Sequence, residues 1–336
     1  MRHGRLELDG LLDDAALKVL RRIVILSAGT SYHAAVAGRY AIEEWARVPV
    51  EHDIASEWIY RNPVLDASTL VIGISQSGET RDTIAAMKLA REMGARTVGI
   101  TNMMGSQITR EVDSVLYTRA GLEVSVAASK TFTAQVSLLF LVALKLAQVR
   151  ETLQTDELTF ILDEVYLLPE KIQAFLDGDH PIDEIAQRHF DKPFFLYLGR
   201  HIGLPVALEG ALKLKEISYI PTEAYSAGEM KHGPIALLDE STPVVVVATS
   251  IHVYDKIVSN IQEVRARGAH VIAVATEGNE DIQHHADDVI YVPKSPAFLQ
   301  VVLAILPLQL LAYRIARLRG LNVDQPRNLA KTVTVE

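Results

Sequence analysis

The sequence predicts an α/β protein of two tandem domains, each a doubly wound parallel sheet flanked by helices. Three observations support this prediction. The chain has 336 residues, which fits roughly two domains of about 100–200 residues each. Its segments repeat at a spacing of about 170 residues. The predicted strands are nearly continuous apolar runs, which is typical of parallel strands buried on both faces.

The overall composition excludes several classes of protein. With 49% hydrophobic and 22% charged residues, the chain is neither disordered nor a coiled coil. The net charge of −9 provides no strongly basic field, so nucleic acid is not an expected partner. The sequence contains no cysteine, which excludes disulfides, thiolate metal sites and a cysteine nucleophile and favours a cytoplasmic location.

No targeting or membrane segment is predicted. Residues 1–20 lack the apolar run of a signal peptide and resemble a leader or linker. The most apolar stretches are Val136–Val149 and Val301–Ala316. Each contains polar residues and falls short of the ~20 apolar residues that a membrane-spanning helix needs. Both are therefore predicted to be buried helices, and no membrane partner is expected.

Three pairs of segments recur in the same order. Each pair shares an apolar strand pattern and the same kind of turn or helix end, so each copy reads as β–α–β–α–β. The copies are predicted at 21–150 and 191–320, with a helical linker at 151–190 and a tail at 321–336. The paired segments are Arg22–Gly29 with Pro193–Gly199, Asp66–Ile74 with Asp239–Val247, and Ala90–Ile100 with Val264–Val274.

Polar loops follow two predicted strands of the first copy, Gly29–Tyr32 and Ser75–Thr80. Doubly wound folds bind ligands outside the carboxyl ends of their strands. The second loop reads Ser-Gln-Ser-Gly-Glu-Thr before a helix, and hydroxyls at a helix N-terminus bind anions. The alternative is that these hydroxyls only cap the helix. Capping needs only one such side chain, so the presence of three hydroxyls favours a phosphate site. The Walker and Rossmann glycine patterns are absent from the sequence, which favours a small phosphorylated metabolite over a nucleotide.

The second copy carries titratable residues instead of this loop. Glu209, Lys213 and Glu216 are spaced i, i+4, i+7 and share one face of a predicted helix. Taken alone, this spacing is typical of a solvated face with an ion pair. His232 precedes Gly-Pro in a loop that can fix its orientation, although a lone histidine is more often structural. The histidines show no metal-ligand spacing, so no metal site is predicted.

These segments together resemble the isomerase half of the glutamine:fructose-6-phosphate aminotransferase family, also called glucosamine-6-phosphate synthases. The resemblance runs from about Arg22 to Glu336, and that half consists of two sugar-isomerase (SIS) domains. It implies conversion of fructose 6-phosphate and ammonia to glucosamine 6-phosphate, for amino-sugar biosynthesis, without a cofactor. The segments that carry it are Gly29–Tyr32, Ser75–Thr80, Ala207–Tyr219, Gly228–Pro234 and Asp324–Glu336.

The resemblance implies a role for each matching residue. Glu216 would move a proton between C1 and C2 of the sugar. His232 would assist ring opening from the partner subunit of a homodimer. Lys331 would lie near the open-chain carbonyl, with Lys213 as a charged neighbour. The residues implied to hold the hexose 6-phosphate are Thr30, Ser31, Ser75, Gln76, Ser77, Thr80, Val126 and Ala128.

Some features depart from the family pattern. The family often has Cys at the position of Ala28 and a hydroxyl residue at the position of Ala128. Its glutaminase domain, which begins with a Cys nucleophile, has no counterpart in this sequence, so ammonia would be supplied from elsewhere. The composition of Asp324–Glu336 favours a disordered tail, whereas the resemblance implies an ordered lid over the active site.

Two other functions remain open at this point. One is a free-standing SIS-type deglycase or deaminase-isomerase of amino-sugar phosphates, against which the terminal segment argues. The other is a sugar-phosphate sensor without catalysis, against which the combination of Glu216, His232 and Lys331 argues.

Overall fold

Two five-stranded parallel sheets, each flanked by helices, form the cores of two units. A computed structural model describes residues 5–332. The first unit comprises the described residues up to Val124, Ala128–Leu162 and residues 330–332. The second comprises Ser125–Ala127 and Asp163–Leu329. The predicted fold class, an α/β protein with two doubly wound sheets, is confirmed.

In the first unit, strands and helices alternate along the chain. Its elements are α1 (Asp14–Lys18), β1 (Arg22–Ser27), α2 (Thr30–Ala41), a π-helical turn (Ile42–Ala46), β2 (Val50–Ile54), α3 (Ala55–Trp58), β3 (Thr69–Ile74), α4 (Arg81–Glu92), β4 (Arg96–Thr101), α5 (Ile108–Glu111), β5 (Ser114–Tyr117) and α6 (Lys130–Arg150). All neighbouring strands are parallel, in the order β2–β1–β3–β4–β5. The strand order therefore reverses between β1 and β3.

The segment between the two sheets is helical, at α7 (Thr155–Tyr166), α8 (Leu168–Asp177) and α9 (Ile182–His189). The second sheet then repeats the plan of the first. Its elements are β6 (Phe195–Gly199), α10 (Gly203–Ser218), β7 (Thr222–Ser226), 3₁₀ helices at Ala227–His232 and Pro234–Leu237, β8 (Pro243–Ala248), α11 (Tyr254–Arg265), β9 (His270–Thr276), a 3₁₀ helix at Asp281–His284, β10 (Asp288–Val292) and α12 (Gln300–Leu318). The parallel order β10–β9–β8–β6–β7 reverses between β6 and β8.

The repeat extends to the packing of helices, because each unit brings two helices together at a glycine. In the second unit, a Cβ added to Gly210 of α10 would lie 2.5 Å from Leu308 Cδ1 of α12. In the first, a Cβ added to Gly38 of α2 would lie 2.8 Å from Leu139 Cδ1 of α6. A real Cβ cannot approach a carbon so closely, so glycine permits both helix contacts.

The sequence predicts three strands per copy, and the structure corrects this to five. The central strands β1, β3 and β8 are almost entirely buried runs of apolar residues, which the pattern reveals. The strands that were missed lie outside them: β2 and β5 in one sheet and β7 and β10 in the other. Partly exposed strands carry polar residues, as in the Val-Glu-His-Asp-Ile of β2, and lack a continuous apolar run.

The two most apolar stretches are the long helices α6 and α12, as expected, but they are longer than predicted. They contain 21 and 19 residues, and by length and composition alone each could cross a membrane. In each helix, however, 67% of the most apolar 18-residue stretch is buried by the protein itself, which is typical of a core helix. Burial, rather than insufficient length, is therefore the observation that supports their assignment as core helices.

Candidate functional site

The Ser75–Thr80 loop follows the carboxyl end of β3 and is organised by its own hydroxyls. The Ser75 side chain is buried, and its Oγ lies 2.8 Å from Thr80 Oγ1. The backbone N–H of Gly78 donates to Ser75 Oγ at 3.0 Å, and that of Glu79 donates to Ser77 Oγ at 3.2 Å. The loop is thus closed on itself before α4 begins.

Gly78 gives this loop its shape. Its φ of +67° lies in the left-handed region that favours glycine. A Cβ at this position would lie 2.0 Å from Ser106 Oγ and 2.9 Å from Thr101 Oγ1. The loop therefore packs tightly against the segment after β4, and any other residue at position 78 would displace it.

Simple helix capping does not account for the hydroxyls. Thr80 occupies the N-cap position of α4, yet its side chain makes no capping hydrogen bond to the helix. Its hydroxyl is paired with Ser75 instead. The anion site expected at this helix N-terminus remains a prediction, and the capping alternative is weakened.

Thr30 and Ser31 lie next to this loop in the topology. They open α2 directly after β1, and β1 is paired in parallel with β3. Both loops therefore leave the sheet at the point where the strand order reverses, which is where doubly wound folds bind ligands. The buried Ser31 hydroxyl accepts a hydrogen bond of 3.0 Å from Gln135 Nε2 of α6.

Asn102, which the sequence analysis missed, connects the Ser75–Thr80 loop to the chain after β5. Its backbone N–H donates to the Gln76 carbonyl at 3.0 Å. Its side-chain oxygen accepts from Ala120 N–H at 2.8 Å, and its Nδ2 donates to the Gly121 carbonyl at 2.8 Å. The loops at the carboxyl ends of β3, β4 and β5 are therefore held as one layer.

Glu123, in this layer, anchors the terminal Lys331. The buried carboxylate accepts hydrogen bonds from Ser129 N–H (2.8 Å), Thr131 Oγ1 (2.6 Å) and Lys331 Nζ (2.6 Å). Burial raises the pKa of Glu123, but the hydrogen bonds from Lys331, Thr131 and Ser129 outweigh it and hold the pKa below its ordinary value. The sequence offered one weak signal, an acidic residue just ahead of a long helix.

In the second unit, α10 carries a row of charges of which two are buried and one, Glu216, is partly exposed. Lys213 Nζ lies 3.2 Å from Glu209 Oε1 and 2.6 Å from Glu216 Oε2. Burial lowers the pKa of Lys213, but the two carboxylates outweigh it and raise the pKa above its ordinary value. The solvated face that the spacing alone favoured is therefore wrong, because this face of α10 lies inside the unit. The side chains of Glu209 and Lys213 are 0% and 3% exposed, whereas that of Glu216 is 20% exposed.

Glu216 lies away from the carboxyl ends of the strands, where ligands of doubly wound folds are expected to bind. Helix α10 begins just after the carboxyl end of β6 and runs back toward the start of the parallel strand β7. Glu216 is in its last turn and thus belongs to the amino end of the sheet. Ligand binding at the carboxyl ends of parallel strands accounts for the position of the polar loops in the first unit, but it does not account for the position of Glu216.

His232 is exposed at the end of the 3₁₀ helix Ala227–His232, directly before Gly233 with a φ of +140°. Its placement leaves the imidazole accessible from outside the chain. The structure therefore neither buries His232 as a structural residue nor pairs it with Glu216 within the described hydrogen bonds and ion pairs.

The tail is ordered by hydrogen bonds as far as it is described, so the disorder favoured by composition is wrong for residues 321–332. In the second unit, Val126 N–H donates to the Asp324 carbonyl at 2.9 Å, and Arg327 N–H donates to Tyr219 Oη at 2.8 Å. The Arg327 guanidinium also lies 4.3 Å from the centre of the Tyr219 ring. Ala128 is half-buried near this contact in sequence. Residues 333–336 of the predicted tail lie outside the described residues.

Comparison with known proteins agrees with these features. A family model for the SIS domain matches residues 16–145 and 195–319, which contain the two sheets. The chain belongs to the SIS domain family. Within this family, the solved C-terminal domain of glucosamine-fructose-6-phosphate aminotransferase from Francisella tularensis is similar to 97% of the chain, with 36% identity and a TM-score of 0.91, and 92% of that domain is covered. Glucosamine-6-phosphate deaminase from Thermotoga maritima is 27% identical with a TM-score of 0.75, covering 94% of this chain and 91% of that one.

Curated relatives of similar sequence are longer than this chain. Glutamine–fructose-6-phosphate aminotransferase (isomerizing) from Chlorobaculum tepidum is 53% identical over 334 residues, covering 99% of this chain and 54% of that protein. A protein of the same name from Thermus thermophilus is 50% identical over 333 residues, with 99% and 55% covered. The chain spans about half the length of these relatives.

Proposed function

We propose that this chain is the sugar-phosphate part of a glutamine–fructose-6-phosphate aminotransferase, built from two SIS domains. It would bind fructose 6-phosphate and convert it, with ammonia, to glucosamine 6-phosphate. The observation that supports this most strongly is the similarity to the Francisella tularensis C-terminal domain over 97% of the chain. In the longer relatives, the remaining length would supply the glutaminase that releases ammonia from glutamine.

The phosphate group is proposed to bind at the Ser75–Thr80 loop and the start of α4. Uncharged hydroxyls and a helix N-terminus attract a dianion without placing cations in the site, and here they act against an overall charge of −9. Gln76, Ser77 and the neighbouring Thr30 are partly exposed and so accessible to a ligand. The hydrogen-bonded pair of the buried Ser75 and the half-buried Thr80 would support their positions.

Glu216 is proposed to transfer the proton. Ammonia condenses with the C2 carbonyl of the open-chain ketose, and water leaves. Glu216 then removes a proton from C1 of the protonated imine to give an enolamine. It returns a proton to C2 while the O1 hydroxyl loses its own proton, which leaves an aldehyde at C1. Of the two carboxylates that contact Lys213, Glu216 is the one that reaches the surface, whereas Glu209 is 0% exposed. Lys213 would hold Glu216 in place and offset negative charge on the substrate.

His232 and Lys331 are proposed to act on the other steps. An exposed imidazole on a 3₁₀ helix suits general acid–base ring opening in a neighbouring copy, which implies a homodimer. Lys331 would lie against the open-chain carbonyl. Its ion pair with Glu123 supports this role by showing that the tail is fixed at this residue. Val126 and Ala128 would contact the sugar beside it.

A second candidate function is that of a free-standing amino-sugar-phosphate deaminase or deglycase. The similarity to the Thermotoga maritima deaminase, of which the chain covers 91%, favours it. Both candidates use the same proton transfer and differ in the direction of net reaction and in the source of nitrogen. We place either activity in the cytoplasm, and we retain 21–150 and 191–320 as the proposed domains around the linker 151–190.

The first test is the interconversion of fructose 6-phosphate and glucose 6-phosphate, which needs Glu216 but no nitrogen donor. We expect Glu216→Gln to lower kcat by about 10²–10⁴-fold, because the amide cannot take up the proton. The matched control is Glu170→Gln, at an exposed carboxylate of α8, which should retain wild-type activity. Equal rates for Glu216→Gln and the wild type would remove Glu216 from the mechanism.

A further inference from the structure

Three side chains that commonly bind metals converge in the second unit, outside the segments assigned to sugar-phosphate chemistry. His189 is the last residue of α9, His270 is the first of β9, and Asp288 is the first of β10. One potential ligand atom from each lies within 4.8 Å of the other two. They are widely separated in sequence, so they form no recognisable metal-ligand spacing.

His189 is the member of this cluster that lacks an explanation in the described structure. The residue is 4% exposed, and neither ring nitrogen has a hydrogen-bond partner among the described residues. Its ring packs against His270 and Phe195, with 4.7 Å and 6.4 Å between ring centres. Leaving a buried polar atom without a partner is unfavourable. A ligand on one of the ring nitrogens would remove part of this cost.

The side-chain chemistry of the cluster suits a cation. Two imidazoles and one carboxylate offer nitrogen and oxygen lone pairs at one place, and the carboxylate of Asp288 is also paired with Arg188.

The remaining partners of Asp288 would orient it toward a metal. Arg188 donates to Asp288 Oδ1, which leaves Oδ2 facing His270 Nε2 at 2.7 Å. An outer hydrogen bond that fixes a ligating carboxylate is a common feature of metal sites. Ion binding would replace the hydrogen bond between His270 and Asp288 with a shared contact to the ion.

We propose that His189, His270 and Asp288 form a binding site for one divalent transition-metal ion, with Zn²⁺ as the best match. Imidazole nitrogens with a carboxylate are typical Zn²⁺ ligands and poor ligands for Mg²⁺ or Ca²⁺. Zinc–ligand bonds of ~2.0–2.1 Å place tetrahedral ligands about 3.4 Å apart. Side-chain rotations that move the ligand atoms by on the order of 1 Å would therefore complete the site, and a water molecule would occupy the fourth coordination position.

The location points to a structural role for this ion. In the sheet, β9 and β10 lie on the far side of β8 from β6 and β7, the two strands that α10 connects. An ion here would tie the end of α9 to the amino ends of two strands. It would stabilise the second unit without joining the proton transfer at Glu216.

The test is metal binding by the full chain after removal of metals with a chelator. Co²⁺ serves as the spectroscopic probe, because a tetrahedral site gives it strong visible absorption, and Zn²⁺ serves as the competitor. We expect one Co²⁺ per chain, displacement by Zn²⁺, and a Tm that rises with Zn²⁺ concentration. His270→Asn and Asp288→Asn should each weaken binding by at least about tenfold. The control, His284→Asn, changes an exposed histidine and should bind normally.

Several outcomes would overturn the site. They are weak Zn²⁺ binding by the wild type, octahedral Co²⁺ spectra, or equal affinity in His270→Asn and His284→Asn. Circular dichroism of each variant distinguishes loss of metal binding from loss of folding. Because the two variants lie on different strands, the test still works if one of them does not fold. Isomerase activity should persist after chelation, so failure of the metal site and failure of the proposed function give different results.

Discussion

At the scale of single residues, Glu123 shows how one buried carboxylate positions a distant part of the chain. It accepts hydrogen bonds from Ser129, just before α6, from Thr131 of α6, and from Lys331, a residue 208 positions away. Removing Lys331 would leave the buried carboxylate of Glu123 without its opposite charge. The position of Lys331 therefore depends on a residue that no motif of the sequence identifies.

The Glu123 contacts predict a dependence of stability on pH. Because the folded pKa is lower than the ordinary value of 4.5, the ionised carboxylate stabilises the fold above about pH 4.5. This stabilisation is lost as pH falls through the lowered folded pKa. We expect the wild type to lose stability on the acid side and Glu123→Gln to show a smaller loss over the same range. Urea unfolding from about pH 7 to about pH 3 measures the difference.

The matched control for this prediction is Glu157→Gln, at an exposed residue of α7. It should keep the acid dependence of the wild type. Identical pH profiles for Glu123→Gln and the wild type would show that the contact with Lys331 contributes nothing to stability.

The α10 charges show how far residue-level prediction reaches. The spacing of Glu209, Lys213 and Glu216 correctly places them on one face of a helix. Which face is buried depends on α12, whose apolar residues lie about 100 positions later in the chain. Local spacing therefore reveals the row of charges but not its burial.

At the scale of elements, the junction of β3 and α4 joins a buried strand to a helix through a loop closed by hydroxyls. The pairs Ser75–Thr80 and Ser77–Glu79 fix the loop before any ligand binds. Preformed loops of this kind bind a ligand at a low cost in conformational entropy. The loop should therefore contribute to substrate affinity more than to the chemical step.

Thr80→Val tests this contribution because valine keeps the shape and removes the hydroxyl. Loss of one hydrogen bond of about 1–1.5 kcal/mol should raise KM for fructose 6-phosphate by about tenfold and leave kcat nearly unchanged. Steady-state kinetics measures both constants. Thr159→Val, at an exposed threonine of α7, is the control and should change neither. A fall in kcat at constant KM would assign the loop to chemistry instead.

The elements that sequence reasoning recovered are those whose pattern is local. The buried strands β1, β3 and β8 and the loops after β1 and β3 follow from apolar runs and turn residues. The outer strands are partly exposed and carry polar residues, so they lack a continuous apolar run. The metal-type cluster is hidden for another reason, because its three members are far apart in sequence and meet only in the folded unit.

At the scale of the whole molecule, two copies of one fold carry different side chains. The first copy holds a hydroxyl loop at its strand-order reversal, and the second holds the charges of α10. Repetition is visible in the sequence because it preserves strand order, glycines and core residues. How separate chains assemble into a dimer, in contrast, cannot be read from an internal repeat.

The proposed homodimer with His232 acting across the interface predicts complementation. Glu216→Gln and His232→Ala are each expected to be nearly inactive. If subunits exchange, a mixed dimer has one site with both residues intact, so the mixture should regain about a quarter of wild-type activity. The measurement is the isomerase rate before and after co-refolding. No recovery, with mixed dimers demonstrated, would place both residues of a site in one chain.

The central claim is that this chain forms glucosamine 6-phosphate from fructose 6-phosphate with Glu216 as the proton carrier. The most direct measurement is the rate of glucosamine 6-phosphate formation from fructose 6-phosphate and ammonia, beside the rate of the reverse reaction. We predict net synthesis by the wild type and a loss of at least about 10²-fold in Glu216→Gln. Release of ammonia from glucosamine 6-phosphate far faster than its synthesis, or substrate binding without turnover, would contradict this claim.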